Sequence, residues 1–251
     1  MSYELRVAKD HDALTRDAAE IFAEAAAQAV RARGRFSVAL SGGTTPRALY
    51  TMLGRPGFRE RVAWARAHVF WGDERCVPPD HEQSTFRMVS ETLLSHVEVP
   101  ATNVHRIEAE RPDPKEAADA YERVLRQEAR ATGRQSPRFD LMLLGMGSDG
   151  HTAGLFPGTE AVGVTDRLVV ASWVQALKAH RISMTVPALG DAEHVLFLVS
   201  GEAKAATLRD VLEGPPTATL PASLIRPRDG RLTWLVDEQA ARLLQPRQGT
   251  S

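Results

Sequence analysis

A chain of 251 residues, 43% of them hydrophobic, suits one large α/β domain or two small ones and needs no disulfides to hold its core. Its 31 basic and 32 acidic residues are interspersed and leave a formal net charge of −1, which excludes a nucleic-acid footprint. A single cysteine, Cys76, excludes an internal disulfide and a cysteine-built metal site, and fits a reducing compartment. The opening stretch MSYELRVAKDHD lacks the apolar segment of a signal peptide, and no run approaches the roughly 18 apolar residues of a membrane span. A soluble, cytoplasmic protein is expected.

Residues 3–8 alternate as a first strand. The alanine-rich stretch 12–33 carries apolar residues at helical spacing (Leu14, Ala18, Ile21, Phe22, Ala25), and Gly34 is placed to end it. A β-like run over 36–40 breaks into Ser41-Gly42-Gly43-Thr44-Thr45-Pro46, with the proline in the first turn of a helix over 47–53. The run HVFW at 68–71 is a strand that breaks into Gly72-Asp73-Glu74-Arg75, before a helix around 84–94 and a short strand at 104–107. Asp113 opens an amphipathic helix to about 131, with Glu116 in its first turn. The apolar run 139–144 leads into Gly145-Met146-Gly147-Ser148-Asp149-Gly150-His151. Strands follow at 168–172, 181–186 and 194–199, the last breaking into Ser200-Gly201-Glu202-Ala203-Lys204 and a helix to Leu212. A strand over 232–236 and a helix over 238–244 close the chain. This alternation predicts an α/β fold with a mostly parallel sheet covered on both faces. Neither Gly-Pro-Pro at 214–216 nor Arg226-Pro227 reads as a linker, so a single domain over 1–251 is expected.

In an open α/β sheet, ligands gather at the carboxyl ends of strands. The stretch 41–45 combines glycines, hydroxyls and a following helix N-terminus, which is what a phosphate needs; an ordinary strand-to-helix turn is the alternative. Lys204, near a helix start where a cation is disfavoured, is either an anion ligand or a solvated lysine. Asp73, Glu74 and Arg75 are either a solvated cluster or, leaving a strand, partly aimed over the sheet edge.

Gly145-x-Gly147-x-x-Gly150 spells a dinucleotide fingerprint, which has meaning only as strand, tight turn and helix. Asp149 would repel a pyrophosphate there, and Pro157 limits any helix that follows. No nicotinamide, flavin or other cofactor is therefore expected. His151 beside Asp149 has instead the makings of a general base with an orienting carboxylate, with a turn-capping or buried structural histidine as the alternative. No HExxH or Cys/His spacing supports zinc, so no metal is expected either. Ser148 misses the nucleophile elbow because Met146 stands where that turn needs glycine, and Cys76 has only Arg75 beside it to activate it. Attack by water is favoured over a covalent intermediate.

Three stretches together resemble the 6-phosphogluconolactonases: 41–46 (SGGTTP), 71–75 with 80–84 (WGDER and DHEQS), and 145–157 (GMGSDGHTAGLFP). The resemblance runs over nearly the whole chain. It implies the three-layer α/β/α sandwich shared with glucosamine-6-phosphate isomerase, and hydrolysis of 6-phospho-D-glucono-1,5-lactone in the oxidative pentose phosphate pathway, a carboxylic-ester hydrolysis without metal or cofactor. The implied partner is a small sugar-phosphate lactone, with no nucleic acid and no membrane; a monomer is allowed, although nothing in the sequence sets the oligomeric state.

The resemblance also implies roles. Gly42, Gly43, Thr44 and Thr45, after Ser41, would hold the 6-phosphate with Arg181 and Lys204. His151, oriented by Asp149, would take a proton from water; Arg75 or a nearby backbone N–H would stabilise the oxyanion, and Asp73 would line the ring hydroxyls or tune Arg75. The rival readings are a glucosamine-6-phosphate isomerase or deaminase and a non-catalytic sugar-phosphate-binding protein. The deaminases carry a glutamate five residues after the histidine, where this chain has Phe156. The segment 178–183 (KAHRIS) resembles the lactonases' Lys-Pro-Pro-x-Arg-Ile-Thr without its prolines, which separates the role of Lys178 from that of Arg181.

Overall fold

The computed structural model describes residues 3–134 and 136–245. Of the 1–251 span expected to form one domain, residues 1, 2, 135 and 246–251 lie outside those described. The chain opens with β1 (Glu4–Ala8) and α1 (His11–Arg33). Asp10 caps α1 by accepting from the Ala13 N–H at 2.8 Å, and Gly34 ends it in the left-handed conformation at φ 71°. There follow β2 (Phe36–Leu40), α2 (Thr44–Leu53), β3 (Ala67–Trp71), β4 (Asp73–Arg75), α3 (Thr85–Thr92) and β5 (Val104–His105). Next come α4 (Pro114–Ala131), capped by Asp113 as its spacing predicts, and β6 (Leu141–Gly145). The last elements are β7 (Val169–Val174), β8 (Ala179–Met184), α5 (Val186–Leu189), β9 (His194–Val199), α6 (Ala205–Glu213), β10 (Arg231–Asp237) and α7 (Glu238–Ala241).

Seven strands form one sheet in the order β1-β10-β9-β6-β2-β3-β5, with every neighbouring pair parallel. Helices cover both faces, giving the expected three layers. The central strands are apolar throughout because both of their faces are covered: β9 (HVLFLV) is buried at every position. Trp234 of β10 lies opposite Phe197 of β9, and their rings stack at 3.9 Å. β1 sits at the edge, where Val7 is exposed.

The strands expected at 168–172 and 181–186 do form, but outside the parallel sheet. As β7 and β8 they join β4 in a separate antiparallel sheet, order β4-β8-β7. The link between β7 and β8 is too short for a helical crossover, so the chain reverses directly. Lys178 makes that reversal in the left-handed conformation, at φ 48°.

Candidate active site

The sheet order reverses between β2 and β6. From β2 the chain builds outward through β3 and β5; from β6 it builds the other way through β9 and β10. The two loops that leave β2 and β6 therefore diverge, and a crevice opens at their carboxyl ends. A cavity of about 230 Å³ lies there, lined by Ser41, Gly42, Gly43, Thr44, Thr45, Asp73, Arg75, His151 and Lys204 among others. Four separated stretches of sequence thus meet at one place.

Two buried tyrosines hold the strand ends beneath the cavity. The Tyr50 hydroxyl accepts from the Ser41 N–H at 3.0 Å and donates to the Ser41 carbonyl at 2.9 Å. Tyr121 does the same for both backbone groups of Trp71, at 2.9 Å each. Gly43, at φ 111°, turns the chain into α2 as its N-cap and has no side chain to cap the helix. The first N–H groups of α2 are left facing the crevice, a ready anion site. Ser41 Oγ is buried there without a partner.

β4 divides its three charges by strand alternation. Asp73 and Arg75 line the cavity, whereas Glu74 points away and is buried. The Glu74 carboxylate accepts from the N–H groups of Arg75 (2.8 Å), Thr85 (2.8 Å) and Phe86 (2.7 Å), which ties β4 to the N-terminus of α3. Burial still outweighs those bonds and raises its pKa above the usual carboxylate value. The Arg75 guanidinium donates to the Gln83 carbonyl at 2.9 Å and to Thr85 Oγ1 at 3.3 Å, which holds it over Gly42. Arg181 pairs with Arg75 across the two strands and does not line the cavity itself. Its guanidinium stands 5.9 Å from the Phe156 ring, its Nε and Nη1 are buried without partners, and burial lowers its pKa. Lys178 is exposed in the hairpin turn and is not among the residues lining the cavity.

The glycines after β6 shape a turn; no α-helix starts there, and residues 151–159 run through turns into a short 3₁₀ turn at Glu160–Gly163. The Gly147 N–H donates to the His151 carbonyl at 2.8 Å, and the Gly150 N–H to the Gly147 carbonyl at 3.1 Å. His151 Nδ1 lies 2.6 Å from Asp149 Oδ1, which also accepts from the His151 backbone N–H at 3.1 Å. A Cβ at position 147 would stand 2.1 Å from His151 Nδ1 and 2.3 Å from Asp149 Oδ1, so only glycine leaves room for this pair. Burial works to raise the Asp149 pKa, but the charge and N–H groups of His151 outweigh it and hold the carboxyl below its ordinary value. Phe156 stacks on the imidazole, centroids 4.1 Å apart. Ala153, on the cavity wall, is held at φ 47°, a left-handed conformation unusual for alanine.

Lys204 enters the cavity from the end of a short 3₁₀ turn (Glu202–Lys204) that leads into α6. Beside it, Ser200 bonds Asp237, which caps α7 through the Ala240 N–H at 2.8 Å. Burial pushes the Cys76 thiol up to about 11, which keeps it protonated and unfit as a nucleophile. Sequence reasoning gave no role to Glu74, to Phe156 as the surface under His151, or to Met146, Leu198 and Ser200 of the cavity wall. The one available signal was the alternation within Asp73-Glu74-Arg75, which sends the middle residue away from its neighbours.

The family described as glucosamine-6-phosphate isomerases/6-phosphogluconolactonase matches residues 9–234. The chain belongs to this family. It is 40% identical over 221 residues to a 6-phosphogluconolactonase of Synechocystis, covering 87% of this chain and 89% of that protein. A 6-phosphogluconolactonase of Nostoc is 36% identical over 96% of this chain and 98% of its own length. The solved structure of 6-phosphogluconolactonase from Trypanosoma cruzi superposes with a TM-score of 0.86 at 28% identity, over 98% of each chain.

Proposed function

We propose that this protein hydrolyses 6-phospho-D-glucono-1,5-lactone to 6-phosphogluconate, the lactonase step of the oxidative pentose phosphate pathway. The observation that carries the reading is the His151 imidazole on the cavity wall, bonded through Nδ1 to Asp149 and covered by Phe156. Nδ1 is committed to the carboxylate, which leaves Nε2 for the reaction. Water gives a proton to Nε2 as its oxygen attacks the lactone carbonyl. The imidazolium then returns that proton to the ring oxygen as the C–O bond breaks, so no net charge is left on the protein. Asp149, kept ionised, stabilises the imidazolium between the two steps.

The phosphate belongs at the N-terminus of α2, where residues 42–45 offer N–H groups and hydroxyls, with Lys204 opposite. Arg75, held by Gln83 and Thr85, faces the place where the carbonyl oxygen gains charge. Arg181, opposite Arg75 on the neighbouring strand, adds to the positive potential there, and Asp73 receives the sugar hydroxyls. A ring-opening isomerase would need a proton carrier where Phe156 stands. The relatives in cyanobacteria are named for the lactonase reaction over nearly their whole length, which supports the same choice.

The test is consumption of freshly generated 6-phosphogluconolactone with the spontaneous rate subtracted, run beside unphosphorylated gluconolactone and glucosamine 6-phosphate. Fast turnover of the phosphorylated lactone alone is the expected result. A rate equal to background would reject the reading, and turnover of glucosamine 6-phosphate would replace it with the deaminase.

A further inference from the structure

Away from the cavity, near the amino ends of the strands, three side chains from three elements converge. They are His68 on β3, His105 on β5 and Glu128 on α4. His68 Nδ1 lies 3.5 Å from His105 Nε2, and each stands 3.9 Å from a Glu128 oxygen. We propose that these three residues form a binding site for a zinc-class divalent metal ion.

Spacing is the first support. Ligand atoms about 2.0–2.2 Å from a tetrahedral ion lie roughly 3.3–3.6 Å from one another. The two histidine nitrogens sit at that separation, each lies slightly beyond it from a different Glu128 oxygen, and one atom from each residue can be chosen with all three within 4.8 Å of one another. Both histidine–carboxylate distances exceed a hydrogen bond, and the histidine–histidine contact is at its outer limit. The group therefore converges without its members bonding one another well, and an ion among them would draw each in by a few tenths of an ångström.

Preorganisation is the second. The His105 ring stacks on Phe70 at 4.4 Å and lies nearly parallel to His68 at 5.8 Å, which limits how either imidazole turns. Arg35 donates to Glu128 Oε2 at 2.8 Å and fixes the carboxylate. The same guanidinium places a positive charge beside the ion, so affinity falls short of an uncrowded site. Burial lowers the pKa of both histidines, which leaves neutral imidazoles with free lone pairs at neutral pH. Two imidazoles and one carboxylate select zinc, cobalt or nickel over the oxygen-loving calcium and magnesium.

The role that follows is a staple. β5 has only two residues and forms the far edge of the sheet, where few backbone bonds hold it. An ion would tie it to β3 and to α4. His68 is five positions before Asp73, about 15 Å along an extended chain, so the ion takes no part in turnover.

The experiment titrates zinc ion alone into the full chain, stripped of metal, by calorimetry and by the shift in unfolding temperature. The wild type should bind one ion at this site and gain roughly 5 °C at a hundredfold excess over Kd. His105→Gln and Glu128→Gln should each weaken that binding ~10–100-fold or more, while His151→Ala, which changes the one histidine of the cavity, should keep it. Cobalt in place of zinc should show the intense visible bands of a tetrahedral centre, lost in the same variants. Binding that survives both substitutions, or that vanishes only with His151→Ala, would overturn the proposal. Failure of the wild type to bind zinc saturably would do the same.

Discussion

The two ends of the parallel sheet are built on opposite principles. At the amino end, charges are closed off in pairs: Arg33 with Asp140, Arg35 with Glu128 at 2.8 Å, and Arg138 with Glu193 at 3.0 Å. His194, at the start of β9, bonds Thr233 at 2.9 Å. At the carboxyl end, the strand backbones are tied down by Tyr50 and Tyr121, yet the polar groups above them stay open. Ser41 Oγ, Arg75 Nε and two nitrogens of Arg181 are buried there without partners. A folded chain tolerates such groups at a cost of about 1–3 kcal/mol each, so their concentration at one end marks where a polar ligand completes the structure. Among the described residues, two other unmatched arginine nitrogens, on Arg138 and Arg167, still have carboxylates at 3.0 and 3.4 Å.

The sharpest way to break this contrast is to remove the proton carrier. His151→Ala should lower kcat by ~10²–10⁴-fold while leaving the unfolding midpoint nearly unchanged, as read by steady-state kinetics beside a thermal melt. A variant with full turnover would take His151 out of the chemistry.

Gly147→Ala tests whether the open end depends on backbone clearance. Its added methyl meets both members of the Asp149–His151 pair, so turnover should fall by ~10²-fold or more although no catalytic group is removed. If turnover held, the turn would have room that these distances deny.

The closed end is probed by acid. Burial, aided by the nearby charge of Arg231, depresses the His194 pKa from its ordinary 6.5 to about 4. Between those values the unfolded chain binds a proton that the folded chain refuses, so stability is complete above about pH 6.5 and falls as pH drops toward 4. The loss due to this residue should reach roughly 2 kcal/mol by about pH 5, and His194→Gln should flatten the slope in denaturant titrations. An unchanged slope would place the proton uptake elsewhere, with His68 and His105 next in line because burial lowers them in the same sense.

Much of this was legible in the sequence wherever the signal is local. The strand His194–Val199 and the cap at Asp113 follow from a continuous apolar run and from a side chain that bonds within its own turn. The Asp149–His151 pair is legible for the same reason, since the two are two residues apart across a glycine turn. What escaped is non-local. A three-residue strand made of Asp73, Glu74 and Arg75 has no apolar pattern, and only its pairing with β8 makes it a strand. Glu74 is bonded to an α3 backbone eleven residues away, and His68 meets His105 across 37 residues. Arg181 is a mixed case: resemblance assigns it to the phosphate, and the strand register sets it directly opposite Arg75 with its side chain on the same face, although it is not among the residues lining the cavity.

The turn that carries His151 is also held by segments made after it. Thr207 donates its hydroxyl to the Ser148 carbonyl at 2.6 Å, and the Ala222 N–H to the Gly150 carbonyl at 3.0 Å. Among the described residues, β1 pairs within the parallel sheet only with β10. A chain emerging from the ribosome therefore carries its glycine loop and its carboxylate–histidine pair well before these later contacts add to the turn's own bonds. Activity should appear late in synthesis, in one step, when β10 docks between β9 and the strand that has waited since the start. The first strand made is the last one paired.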